Sequence, residues 1–215
     1  IKKGGYIMSR NYMDNLSQQK TMILAGQGRV YTAPDTAVIR LGVQTTGNNL
    51  LQIQASNAST MQSILQMLQR MGISDVKTYQ YSIDKIYDYE EGRQIDRGYS
   101  VRNILEIRTN NIDMAGSIID SSVNAGANVV ELITFDVSNR EMYYQQALNM
   151  AVMNAFEKAK SISMNLGTGK NPIIVHITEN SSFPIEPYRR ELAASTPVVP
   201  GSLIIEAFVT AEFTF

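Results

Sequence analysis

GQGRVYTAPDTAVIRLGV, residues 26–43, holds two extended runs hinged at Pro34 and Asp35, and its reading decides the fold. Past the hinge, Ala37, Ile39, Leu41 and Val43 alternate with Val38, Arg40, Gly42 and Gln44, the period of a strand. Pro34 has no N–H to donate, which suits a corner rather than a ladder interior. Gly26 and Gly28 could open a nucleotide-binding loop, but the third glycine is missing. A strand and Pro34 also stand where a helix N-terminus would be needed. Backbone turning or close strand approach is the better account of both glycines.

The other end of the chain reads the same way. PGSLIIEAFVTAEFTF, residues 200–215, puts Leu203, Ile205, Ala207, Val209, Ala211, Phe213 and Phe215 on one strand face. The two stretches predict a sheet that joins the ends of the chain.

Between them, Leu51, Ala55, Ala58, Met61, Leu65 and Leu68 recur at spacings of three and four and predict a helix. Residues 75–89 read as a strand placing Tyr79, Tyr81 and Ile83 on one face. Glu90, Glu91 and Gly92 form a hairpin tip. The return strand sets Tyr99, Val101, Leu105 and Ile107 opposite Ser100, Arg102, Glu106 and Arg108. A shorter helix over 112–124 precedes a strand over 128–137. The clearest helix spans 140–166, with Tyr144, Leu148, Ala151, Ala155, Ala159, Ile162 and Leu166 as one stripe. Its alanines allow close packing on a sheet. Another strand covers 172–179.

Gly72, Gly126 and Gly167 each end a helix and lead into a strand, a recurrence that hints at duplicated β-α-β units. Residues 180–200 hold four of the six prolines and read as a long loop or arm. The order is β-β-α-β-β-α-β-α-β-β. It predicts an α+β fold, with helices packed on one face of a largely antiparallel sheet. Residues 1–21 read as a flexible tail and 22–215 as a single domain.

Composition narrows the function classes. The 215 residues suffice for one substantial core, and 44% hydrophobic with 18% charged residues is a globular balance. Nineteen basic against 20 acidic residues, without a basic run, argue against nucleic-acid binding. The absence of Cys removes disulfides, thiolate metal sites and cysteine nucleophiles together. No apolar run reaches a bilayer-spanning length. The N-terminal stretch lacks the apolar core of a signal peptide, which makes a cytoplasmic location the expectation. The first seven residues back-translate to a purine-rich ribosome-binding element, which makes Met8 a candidate start; an ordinary tail or a cloning remnant explains them equally well.

No set of residues assembles a catalytic constellation. His176 is the sole histidine, flanked by Ile174, Val175 and Ile177, and reads as a structural strand residue. Asp84, Asp88, Glu90, Glu91 and Asp96 are mixed with Lys85, Arg93 and Arg97, the pattern of a solvated turn rather than a carboxylate pair for hydrolysis. The same hairpin carries Tyr79, Tyr81, Tyr87, Tyr89 and Tyr99. Tyrosine buries a large ring while keeping a polar tip, which makes these five the candidate contact between subunits. Packing within one subunit explains them equally well.

Taken in order, several segments resemble the SIMPL-domain family of bacterial periplasmic immunogenic and oxidative-stress defence proteins. They are G-x-G-x-V-x-x-x-P-D at residues 26–35, Gly72–Ile73 with Asp75–Val76, and Gly98–Tyr99–Ser100–Val101–Arg102–Asn103. Asp120 with Gly126–Ala127, Lys158–Ala159–Lys160, Leu166–Gly167 and Pro200–Gly201 complete the pattern, which covers residues 24–215. The resemblance implies an α+β fold, homo-oligomers and, by way of exported relatives, an envelope location as the alternative to the cytoplasm. It implies no catalytic residues, metal or cofactor. The leading expectation is therefore a non-enzymatic, homo-oligomerising protein associated with stress or the envelope. The alternative is a small-molecule binding protein or weak enzyme, with residues 180–200 as a lid and Arg189, Arg190 or His176 in its cleft. A third reading, adaptor for a protein partner, rests on one eukaryotic branch of the family.

Overall fold

The computed structural model describes residues 21–180 and 200–215. In chain order they form β1 (Thr21–Thr32), β2 (Thr36–Gly47), α1 (Leu50–Arg70), β3 (Asp75–Glu90), β4 (Arg93–Thr109) and, after a 3-10 turn at Ile112–Met114, α2 (Ala115–Asn124). β5 (Val129–Asp136), α3 (Arg140–Asn165), β6 (Ile173–Asn180) and β7 (Leu203–Thr214) follow. The fold is α+β with two antiparallel sheets, in the element order expected from the sequence. The described residues divide into two compact units, one of 21–32, 139–180 and 204–215, the other of 33–138 and 200–203.

The second unit is built on the sheet β3-β4-β2-β5. β2 runs antiparallel to β4 from Ala37↔Thr109 to Gly47↔Tyr99 and antiparallel to β5 on its other side. β2 and β3 are thus parallel with β4 between them, and β4 and β5 parallel with β2 between them. The repeated helix-to-strand pattern of the sequence is realised as two interleaved split β-α-β units, the plan of ferredoxin-like sheets. Both helices cover one face, where Ala37, Ile39, Leu41, Val43, Leu105 and Ile107 pack with Met61, Ile64, Leu68 and Ile118.

The stripe of α1 is phased differently from the sequence expectation. Ile53, Asn57, Met61, Ile64 and Leu68 are buried, whereas Leu51 and Leu65 are exposed, as are Ala55 and Ala58. A polar residue in the core position explains the error. Asn57 is 1% exposed, and its Nδ2 donates to the carbonyls of Val43 (3.1 Å) and Val101 (3.2 Å), so it belongs in the core despite its amide.

All three helices among the described residues end on a left-handed glycine: Gly72 (φ 76°), Gly126 (φ 109°) and Gly167 (φ 65°). The next N–H reaches back to the helix in each case, Ile73 to Leu68 O, Ala127 to Ser122 O and Thr168 to Ser163 O, which closes a Schellman motif.

The first unit is the sheet β1-β7-β6 with α3 against it. β7 alternates as expected, with Ile205, Ala207, Val209, Ala211 and Phe213 buried. The buried stripe of α3 is a strict four-residue repeat of small side chains, Ala147, Ala151, Ala155, Ala159 and Ser163. Ile162 and Leu166, expected on that stripe, are exposed, because the buried line runs through Ala159 and Ser163 and leaves them on its flank. The two glycines of β1 are the other half of this contact. A Cβ on Gly26 would lie 2.0 Å from Ala151 O, and one on Gly28 1.9 Å from Ala147 O. The close approach expected of both glycines is real, but it is to a helix rather than to a strand.

Candidate functional site

β3 and β4 are joined by a two-residue turn in which Glu91 (φ 51°) and Gly92 (φ 77°) both take left-handed conformations, as a tight hairpin of right-handed twist requires. β2 stops at Gly47, opposite Tyr99. Everything beyond that pair, from Lys85 to Gly98, is a ribbon of two strands only.

The five tyrosines do not share one face. Two register shifts, between Thr78 and Gln80 and between Lys85 and Tyr87, break the alternation of β3. Tyr81 stands on the helical face, opposite Asn103, and its hydroxyl accepts from Gln54 Nε2 of α1 at 3.3 Å. Tyr79 sits at the first bulge and turns to the other face, where the Arg40 guanidinium lies 3.7 Å above its ring centroid. The expectation that Tyr79, Tyr81 and Ile83 lie together therefore fails at the bulge. Tyr87 and Tyr99 flank the Lys85 ammonium, at 5.4 and 5.7 Å, and Lys85 also pairs with Asp96 at 2.8 Å. Tyr89, near the tip, is the most exposed of the four on β3.

The charges of the ribbon are mixed, as expected. Arg97 bridges Asp88 (3.2 Å) and Glu90, and every partner is substantially exposed. The Asp96 carboxyl is held below its ordinary value by its hydrogen bond from Lys85 and the N–H of Gly98.

A charge cluster that the sequence does not single out lies on the face of β2, β3 and β4 away from the helices. Glu106, its side chain 4% exposed, takes Arg40 on one oxygen (2.8 Å) and Lys77 (3.0 Å) and Arg108 (3.4 Å) on the other. Burial alone would raise its pKa, but Lys77 and then Arg40 outweigh burial and hold it at about 2. The available signal was a carboxylate between Leu105 and Ile107 on a central strand, with cations opposite it in both neighbours.

The sheet edges differ in how they end. On β1, the carbonyl of Ala25 accepts from Lys158 Nζ (2.8 Å) and the N–H of Gln27 donates to Asn154 Oδ1 (3.3 Å). Side chains of α3 thus occupy groups an added strand would need. Among the described residues, no strand pairs with the outer edge of β3 or of β6. β6 exposes Ile173 (66%), Val175 and Ile177.

His176 lies on β6 as an exposed strand residue, 3.1 Å from Thr178 Oγ1. Among the described residues, no three His, Asp or Glu side chains come together to hold a metal. A groove of about 450 Å³ runs between α1 and α2, lined by Ser63, Gln66, Met67, Arg70 and Ser121, with Asn124 and Ala125. Arg189, Arg190 and the greater part of the expected lid lie outside the described residues. Among the described residues, no helix is long and apolar enough to cross a membrane.

A model of the SIMPL family, described as a protein of unknown function (DUF541), matches residues 22–213. The 26 kDa periplasmic immunogenic protein of Brucella melitensis is 27% identical over 214 residues, which cover 92% of this chain and 85% of the relative. The uncharacterized protein YggE of Edwardsiella ictaluri is 23% identical, over 81% of this chain and 74% of its own. The YggE protein of Escherichia coli K12 is 20% identical, over 83% and 73% respectively.

Proposed function

The chain belongs to the SIMPL family, and from that premise we propose that it is a non-enzymatic protein that assembles with copies of itself in the cell envelope. One observation carries the assembly reading: among the described residues, β3 and β6 have no strand on their outer edges, and they bear exposed apolar and tyrosine side chains. An open edge offers unpaired N–H and C=O groups to another strand, and exposed Ile, Val and Tyr add area to such a contact. By contrast, β1 is sealed by Lys158 and Asn154.

The envelope location draws on the periplasmic relative in Brucella, which favours that alternative over the cytoplasmic one. A stress association rests on the family resemblance. The family match runs through residues of both compact units, which supports treating 22–215 as one functional domain. The non-enzymatic part of the reading is supported by the absence of Cys and by a lone histidine exposed on a strand.

Size-exclusion chromatography with light scattering tests the assembly. A defined multimer is expected, and a strict monomer at high protein concentration would sink the reading.

A further inference from the structure

We propose that the β3–β4 ribbon of one copy docks head to tail on the cationic sheet face of the next, a contact that rests on the self-assembly reading above. The ribbon and its base carry five carboxylates, Asp84, Asp88, Glu90, Glu91 and Asp96, against the three cations Lys85, Arg93 and Arg97. Internal pairing of Lys85 with Asp96 and of Arg97 with Asp88 and Glu90 leaves an acidic excess. The opposite balance holds lower on the same sheet. Arg40, Lys77 and Arg108 gather on Glu106, and within β2, β3 and β4 the further carboxylate at that level is Asp75, opposite Arg108 in the register. On the flank toward β5, Glu131 is already paired with Arg102 at 2.6 Å and Asp136 stands opposite Thr36.

Glu106 fixes these cations without consuming them. Lys77 and Arg108 keep 61% and 44% of their side-chain surface exposed while bonded to it, so both present N–H donors to an incoming carboxylate. The ribbon cannot satisfy this face within its own copy. Lys77 and Glu90 lie thirteen residues apart on one strand, about 40 Å at the rise of a β-strand, and the ladder to β4 holds them in that extended register. A second copy brings the two surfaces together. Tyr89, 71% exposed beside the tip, supplies a ring to the same contact. Because two different patches meet, the contact is heterologous and propagates into a ring or a filament according to its rotation. Complementary charge gives it direction and makes it sensitive to salt.

The experiment measures molar mass by light scattering for the wild type, for Glu90→Lys/Glu91→Lys, for Lys77→Glu/Arg108→Glu, and for a 1:1 mixture of the two variants. Each reversed variant is expected to associate at least ten-fold more weakly alone. The mixture is expected to assemble, because every ribbon then meets a face of opposite sign. Variants that assemble like the wild type, or a mixture that stays dissociated, overturn this contact and leave self-assembly standing. A monomeric wild type overturns self-assembly itself. Circular dichroism checks that each variant folds. Should the reversed face disturb Glu106 and prevent folding, Lys77→Gln/Arg108→Gln retains the Arg40 pair. That variant must show weaker, less salt-sensitive association, and unchanged association in it refutes the contact.

Discussion

Ser138 donates twice to Asp35 across 103 positions, its N–H to Oδ1 at 2.6 Å and its hydroxyl to Oδ2 at 2.7 Å. Thr36 Oγ1 adds a third bond to Oδ1 at 2.9 Å, and the N–H of Asp35 reaches Asp136 O at 3.1 Å. One carboxylate thereby ties the start of β2 to the end of β5, at the point where chain pairing would otherwise fray. The hinge residue of the opening stretch is a clasp as well as a corner.

The Ser138 hydroxyl first, and its N–H second, hold the Asp35 carboxyl below its ordinary 3.8. The charged form is thus favoured by folding. Its contribution is present above 3.8 and is lost as pH falls through the lower folded value. Asp35→Ala should lower the melting temperature at neutral pH and remove this part of the acid dependence. Hydrogen exchange at the Ser138 amide should accelerate. Unchanged protection of that amide would count against the clasp.

Gly28→Ala must push a Cβ to 1.9 Å from the Ala147 carbonyl oxygen, a contact with helix backbone that no side-chain rotation relieves. Overpacking of this kind costs about 1–3 kcal/mol or more. Gly201→Ala meets nothing within 4 Å and serves as the neutral control. Urea unfolding of both variants decides the matter, with a clear loss expected only for Gly28.

Much of the fold was legible because it follows from period and punctuation. β7 alternates without interruption, Gly72, Gly126 and Gly167 announce helix ends, and β4 separates Val101, Leu105 and Ile107 from Ser100, Arg102, Glu106 and Arg108 as written. What was not legible depends on tertiary contacts. The bulge at Tyr79 adds a residue to β3 without leaving a Pro or Gly to mark it. The phase of α1 turns on Asn57, whose partners lie on β2 and β4, far along the chain. The Glu106 cluster appears only when three strands are set in register, since Lys77, Arg40 and Arg108 are remote or unremarkable in sequence.

Asn57→Ala removes the donor to the Val43 and Val101 carbonyls in a fully buried position. Losing buried hydrogen bonds of this kind costs about 0.5–1.5 kcal/mol each. Asn57→Asp should be worse at neutral pH, because it sets a carboxylate against two carbonyl oxygens. Its deficit relative to Asn57→Ala should shrink on acidification, as the protonated side chain regains a donor. Denaturant midpoints of the two variants at pH 7 and pH 4 measure this reversal.

Glu106 couples the cluster to pH most strongly. Its folded pKa of about 2 stands below the ordinary 4.5, since Lys77 and Arg40 outweigh the opposing effect of burial. Stability from the charged form is complete above 4.5 and drains away between 4.5 and about 2. Glu106→Gln should cost about 1.5–3 kcal/mol at pH 7, because it takes from Arg40, Lys77 and Arg108 the one carboxylate that bonds all three. The gap to wild type should narrow through the acid window, where the wild-type carboxylate itself becomes protonated. Removing a cation at the same time, as in Glu106→Gln/Arg40→Gln, should recover part of the loss by relieving repulsion. Equal destabilisation of the single variant at pH 7 and pH 2 would mean that packing around residue 106, rather than its charge, holds the three strands together.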